Sequence, residues 1–233
     1  MEQNAAIPQS SAATAVHPGM IAGGNHTDSD SLCGAPPFAQ GGLIIGITGG
    51  TGCGKTTLLS QIEALGGLVL DCAAIYHDLL RADREMLAAI EARFPGTVED
   101  GILLRKKLGA IVFSDEAALL DLNAITHKAV KQQVLRLLES RPKLAAIDAI
   151  GLFEGGLAPL CHVTVAVTAP EQMRIARLMA RDGISEDYAR SRIAAQHTEE
   201  WFRQRCTYTL VNDGEKDAFA TKCLAFLREL GIM

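Results

Sequence analysis

Short apolar runs alternate with longer stretches of helical spacing through most of the chain. Leu43 to Thr48 (LIIGIT) reads as a buried strand, and Gly67 to Asp71, Leu144 to Ile150, His162 to Thr168 and Tyr208 to Val211 read as four more. Between them, apolar residues recur every three or four positions. Thr56 to Leu65 is expected to be the first helix. A helical region from about Ala73 to Phe94 carries Ile75, Leu79, Leu80, Leu87 and Ile90, and Pro95-Gly96 breaks it. Leu103 to Phe113 and Glu116 to Leu138 show further helical spacing. Pro170 to Arg181 opens with Pro and Glu, which suit a first turn. Ser185 to Arg205 is polar and helical, and Ala218 to Leu230 closes the chain. Strands alternating with helices predict an α/β fold, a parallel five-stranded sheet with helices on both faces. The long helical insertion between strands two and three, about residues 72–140, is the expected binding region for a second substrate. No internal repeat is visible.

The turn after the first strand carries the chemistry. Gly49-Gly50-Thr51-Gly52-Cys53-Gly54-Lys55-Thr56 fits G-x-x-x-x-G-K-[ST], the phosphate-cradling P-loop, between a strand and a helix as that motif requires. Glycines let the backbone turn tightly and bring N–H groups against phosphate oxygens. The helix that follows adds free N–H groups and the positive end of its dipole. Lys55 reaches the β- and γ-phosphates, the Thr56 hydroxyl ligates Mg2+, and Thr57 continues the nucleotide contacts. The motif predicts a P-loop NTPase-type domain that binds a nucleoside triphosphate.

Composition sets the bounds. The 233 residues are 48% hydrophobic and 21% charged, ordinary for a globular chain. Residues 1–42 differ: they are rich in Ala, Gly, Ser, Pro, Asn and Gln, contain no Lys or Arg, and read as a disordered extension ahead of one well-cored domain at 43–233. They lack the arginines of a mitochondrial transit peptide and the basic and apolar regions of a secretory signal. The sequon Asn25-His26-Thr27 is therefore expected to be idle. No apolar run reaches the roughly 18 residues of a membrane span. A net charge of −5 argues against a nucleic-acid partner. Six cysteines without C-x-x-C pairing suggest reduced thiols in the cytoplasm. Cys53, inside the P-loop, is either a thiol activated by the helix N-terminus or a small residue in a tight turn. Oligomeric state, and a start at Met1 or Met20, stay open.

The remaining motifs resemble those of dephospho-CoA kinases, which move the γ-phosphate of ATP onto the ribose 3′-hydroxyl of dephospho-CoA. The likeness spans nearly all of residues 43–230. Ile47 through Thr56 is close to the family's GLTGGIGSGKS. Val69-Leu70-Asp71 follows, and Leu122-Asn123-Ala124-Ile125-Thr126-His127 looks like L-N-x-I-x-H-P. Asp148 through Leu152-Phe153-Glu154 is similar to D-x-P-L-L-F-E. Arg177-Leu178 with Arg181-Asp182-Gly183 looks like R-L-x-x-R-D-G, Gln196 fits a glutamine that follows, and Asn212-Asp213-Gly214 is similar to a terminal N-x-G. The order and spacing of these short matches make them specific.

The resemblance implies roles, each with a plainer alternative. Arg177 and Arg181 share one helix face and would offset charge on the transferring phosphoryl group; otherwise they pair with Glu171 or Asp182 on a solvated face. Residues 182–206 would form a lid that excludes water. Asp148, ending an apolar strand, would hold Mg2+ or its waters; otherwise it caps a turn. Glu154 would touch substrate or cap the next loop. His77, Arg105 and His127 would line the acceptor pocket or serve structural and surface roles. Asn212 and Gly214 would lie at the adenine edge, where backbone groups read the base, or form a plain turn. The catalytic set would be Lys55, Asp71 and Arg181, with ATP and Mg2+ as cofactors and dephospho-CoA, a small molecule, as the partner; no membrane is implied.

One departure stands out. The family pattern after strand two is D-A-D, whose second aspartate is the candidate base for the acceptor hydroxyl; here the residues are Asp71-Cys72-Ala73. Lys128 and Ile150 replace two family prolines, which looks tolerable. General-base assistance is worth about 10²–10⁴-fold, whereas positioning and charge stabilisation carry most of phosphoryl transfer. The expectation is retained ATP binding with strongly reduced turnover. A P-loop kinase for another small metabolite and a nucleotide-binding pseudoenzyme are the alternatives.

Overall fold

The computed structural model describes residues 42–232. The expected disordered extension, its sequon and Met20 therefore lie outside the described residues, Gly42 apart. Parallel strands β1 (Leu43–Thr48), β2 (Leu68–Asp71), β5 (Leu144–Asp148), β6 (Val163–Thr168) and β7 (Tyr208–Val211) form a five-stranded sheet in the order β2-β5-β1-β6-β7. Every pairing in it is parallel. This is the five-strand arrangement expected, with ends shifted by a residue or two.

Period-two alternation assigns the faces. On β5, Ala145 and Ile147 join one apolar cluster, whereas Leu144 and Ala146 join the other. The first cluster packs against α2 (Cys72–Ala82), α3 (Arg84–Arg93), α4 (Arg105–Val112) and α5 (Glu116–Leu138). The second packs against α1 (Lys55–Ala64) and α9 (Lys216–Glu229). The helices thus cover both faces, which a parallel sheet requires. Ile175, Leu178 and Ala189 form a small third cluster joining α6 (Glu171–Asp182) to α7 (Glu186–Ala194), and α8 (Glu199–Arg205) follows.

Three local features differ from the periodicity. The helical region expected over 73–94 splits at Asp83, which ends α2 and caps α3 by accepting from the Met86 amide at 2.9 Å. The 185–205 helix splits at Thr198, whose hydroxyl accepts from the Trp201 amide at 3.2 Å. A hairpin of β3 (Val98–Glu99) and β4 (Ile102–Leu103) precedes α4. Its turn residues, Asp100 and Gly101, both have positive φ (52° and 76°), the geometry favoured in two-residue hairpin loops. No helix among the described residues is long and apolar enough to cross a membrane.

Candidate functional site

The ends of β1, β5 and β2 meet at one edge, and the P-loop rises from β1. Gly49, Gly52 and Gly54 adopt φ of 131°, 78° and 92°, conformations that L side chains avoid. At Gly49 a Cβ would also collide with the Val167 carbonyl oxygen on β6. Three consecutive P-loop carbonyls are held from outside. Arg174 Nε donates to Thr51 O at 2.9 Å, Arg177 Nη1 to Gly52 O at 3.3 Å, and Asn212 Nδ2 to Cys53 O at 2.9 Å. Asn212 Oδ1 in turn accepts from Arg177 at 3.1 Å. With those carbonyls taken by α6 and the end of β7, the first-turn amides of α1 remain as the orphan donors of a helix N-terminus.

Lys55 Nζ donates to Gly49 O at 3.2 Å and lies 3.9 Å from Asp148 Oδ1. Thr56 is exposed at the cleft. Asp148 stands in register with Ile47 on one side and Asp71 on the other. Its Oδ1 is buried with no hydrogen-bond partner. Burial pushes the Asp148 carboxyl above its ordinary value, the nearby Lys55 ammonium opposes that shift, and Asp71 adds to it. Asp71 caps α2, its Oδ1 accepting from the Ala73 and Ala74 amides at 2.9 and 3.1 Å. Ala73 sits exposed on that first turn and presents only a methyl group.

A cavity of about 630 Å³ opens beside the P-loop, lined by Gly54, Thr57, Arg177, Asn212, Gly214 and Phe219 among others. Asn212 itself is 4% exposed, and its side-chain amide is engaged by the P-loop and Arg177. Cys53 is buried, and desolvation raises its thiol pKa despite Arg174 and Lys55 nearby. That favours the small-residue reading over the activated thiol.

The remaining sequence-derived residues are spread more widely. Arg181 does not join the P-loop here: its side chain is 61% exposed and grips Asp182 through two bonds of 2.7 and 3.0 Å. Arg192 also reaches Asp182 at 2.6 Å, and these guanidinium contacts, Arg181 foremost, hold the Asp182 carboxyl down at about 2. His77, Arg105 and His127 lie on α2, α4 and α5 of the insertion. Arg105 is close enough to Tyr76 to oppose the burial that raises its phenol, and the Tyr76 ring packs 5.6 Å from His77. Glu154, on the loop after β5, meets His197 Nε2 at 2.6 Å.

Several participants escaped the sequence reading. Arg174, 5% exposed, replaces Arg181 as the α6 arginine that, with Arg177, reaches the P-loop. Gln196 matched a motif, but only the fold shows its Oε1 accepting from the Thr51 amide at 2.8 Å and from Arg174 at 3.2 Å. His197 and Trp201 were not singled out; their rings stack 3.7 Å apart. The spacing of Arg174 and Arg177, three apart on one helix face, was the available signal.

A protein-family model for dephospho-CoA kinases matches residues 43–218. The dephospho-CoA kinase of Geobacillus kaustophilus is 34% identical over 193 residues, covering 80% of this chain and 96% of that protein. That of Anaeromyxobacter dehalogenans is 36% identical over 193 residues, covering 80% and 92%. Among solved structures, one from Thermus thermophilus superposes with a TM-score of 0.69 at 34% identity, over 82% of this chain and 99% of that one. The dephospho-CoA kinase from Campylobacter jejuni shares the fold, with a TM-score of 0.58 at 23% identity over 82% and 98% of the two chains. With a glycine-built phosphate loop at the sheet edge and relatives matched almost end to end, this chain belongs to the dephospho-CoA kinase family.

Proposed function

We propose that the chain transfers the γ-phosphate of ATP to the ribose 3′-hydroxyl of dephospho-CoA, at a rate held down by alanine at position 73. The observation that carries this reading is the juxtaposition of Lys55 and Asp148, 3.9 Å apart, beside the Asp71–Ala73 turn at the end of the neighbouring strand. The P-loop amides and Lys55 bind the triphosphate, and the cavity beside Gly54 and Gly214 takes the adenine. The donor set fits Mg2+: a hydroxyl on the exposed Thr56 and a buried carboxylate oxygen on Asp148 that accepts no hydrogen bond. No cluster of three or more His, Cys, Asp or Glu among the described residues is placed to hold a metal, in keeping with an ion completed by phosphates and water. When bound, Mg2+ offsets charge on the β- and γ-phosphates.

The helical insertion, with His77, Arg105 and His127, holds the acceptor, and residues 182–206 act as the lid. Asp71 is the carboxylate that remains on the acceptor side, with one oxygen already tied to the Ala73 and Ala74 amides as a helix cap. Arg177 balances phosphoryl charge from its P-loop position; Arg181 reaches the site only if it leaves Asp182. The loose transition state keeps transfer possible without a strong base.

The test measures ADP release with and without dephospho-CoA, for this chain and for Ala73→Asp. A rise of about 10²–10⁴-fold in the variant is expected. Equal turnover in both proteins refutes the base assignment, and ADP release indifferent to dephospho-CoA refutes the substrate. Because Ala73 offers no proton acceptor, a second reading is a nucleotide-binding pseudoenzyme; binding of both ligands with no ADP release in either protein would support it.

A further inference from the structure

The turn between α7 and α8 makes two contacts that point in opposite directions. Gln196 Oε1 accepts from the Thr51 amide at 2.8 Å and from Arg174 at 3.2 Å, so it sets a peptide of the phosphate loop. Its immediate neighbour, His197, meets Glu154 at 2.6 Å on the loop that leaves β5 just beyond Asp148. The His197 ring also stacks flat on Trp201, 3.7 Å and 5° from parallel, while Phe153 meets Trp201 edge-on at 5.7 Å. Two consecutive side chains therefore join the nucleotide-binding loop to the β5 loop, through a turn that belongs to neither.

We infer that Gln196 and His197 are positioning residues that link nucleotide binding to acceptor binding. Neither residue supplies or removes a proton in this scheme. Gln196 fixes Thr51; His197 fixes Glu154; the one-residue step between them leaves little slack, so a shift at one loop moves the other. A contact chain of this kind transmits a binding free energy when both ligands bias the same element. The inference rests on the proposed use of dephospho-CoA, with Glu154 taken as its contact on the acceptor side.

Trp201 is the only tryptophan in the chain and reports on the His197 stack directly. The first measurement follows its emission while a non-hydrolysable magnesium–ATP analogue is added alone. The expected result is an emission change in the parent that is lost in Gln196→Ala, each protein being read at an analogue concentration that calorimetry shows to saturate it. A parent emission that does not respond, or an undiminished response in Gln196→Ala, overturns the inference. The second measurement compares analogue affinity with and without dephospho-CoA. A mutual enhancement within the usual 5–150-fold range is expected for the parent. It should fall to about 1-fold in His197→Ala and be partly kept in His197→Gln, which retains a polar group for Glu154. In the Gln196→Ala, His197→Ala double variant the loss should be no larger than in either single one. Enhancement unchanged in His197→Ala overturns the inference. If the parent fails to bind dephospho-CoA, the substrate reading falls, and the emission experiment alone decides this one. Far-UV circular dichroism of each variant separates loss of the link from loss of the fold.

Discussion

Replacing Asn212 with alanine cuts a tie between the end of β7 and the P-loop without touching the loop itself. Asn212 is 4% exposed; it donates to Cys53 O at 2.9 Å and accepts from Arg177 at 3.1 Å. A neutral buried hydrogen bond contributes about 1 kcal/mol net and one to a charged group about 1.5–3 kcal/mol. These sum to a loss of about 3 kcal/mol. At about 2–4 °C per kcal/mol for a domain of this size, Tm should fall by roughly 6–12 °C. Asn212→Asp separates the two contacts. It keeps the shape and the acceptor for Arg177, but sets a carboxylate oxygen against the Cys53 carbonyl. Thermal and urea denaturation of the parent and both variants is the assay. The aspartate variant should lie well below the parent, because the Cys53 carbonyl loses its donor. An aspartate variant as stable as the parent, or an alanine variant within about 0.5 kcal/mol of it, would show that the P-loop does not depend on this anchor.

Other expectations follow from the same geometry. Asp148→Asn should stabilise the ligand-free chain at neutral pH while weakening magnesium–nucleotide binding, since burial raises the parent carboxyl above the ordinary carboxylate range. The sign is fixed by linkage: a raised folded value gives stability that is complete below the unfolded value and is lost as pH rises through the folded one. The variant's advantage in Tm should therefore grow from about pH 4 upward, and a parent that melts higher at pH 7 would refute the desolvation account. Gly49→Ala, forced against the Val167 carbonyl at a φ of 131°, should cost about 2–5 kcal/mol, read by chemical denaturation; a loss under about 1 kcal/mol would mean the loop relaxes freely. Cys53, 1% exposed with a raised thiol pKa, should resist Ellman's reagent at pH 8 with or without ATP, judged against Cys53→Ser. Rapid modification that ATP blocks would restore the activated-thiol alternative.

The sheet was legible because its strands are short runs of Ile, Val, Leu and Ala that cannot be amphipathic helices, and the P-loop because few residue types tolerate its backbone. What stayed hidden depended on partners distant in sequence. Asp83 looks like one more polar residue on a helical pattern until its carboxylate is seen capping α3. Asp100-Gly101 did carry a local hairpin signal, but flanking strands of two residues each give no alternation to read. At the site, Lys55 lies 3.9 Å from Asp148, two residues each marked by a local motif, whereas Arg174 and His197 have contacts 123 and 43 residues away. Arg181 shows the converse: its motif spacing was clear, yet its neighbour Asp182 takes the guanidinium.

The junction of β2 and α2 has a mechanical corollary. The strand ends at Asp71 and the helix starts at Cys72, so no hinge residue separates the sheet edge from the wall that carries Ala73. Tilting that wall pulls directly on the end of β2, whose Asp71 stands in register with Asp148 of β5.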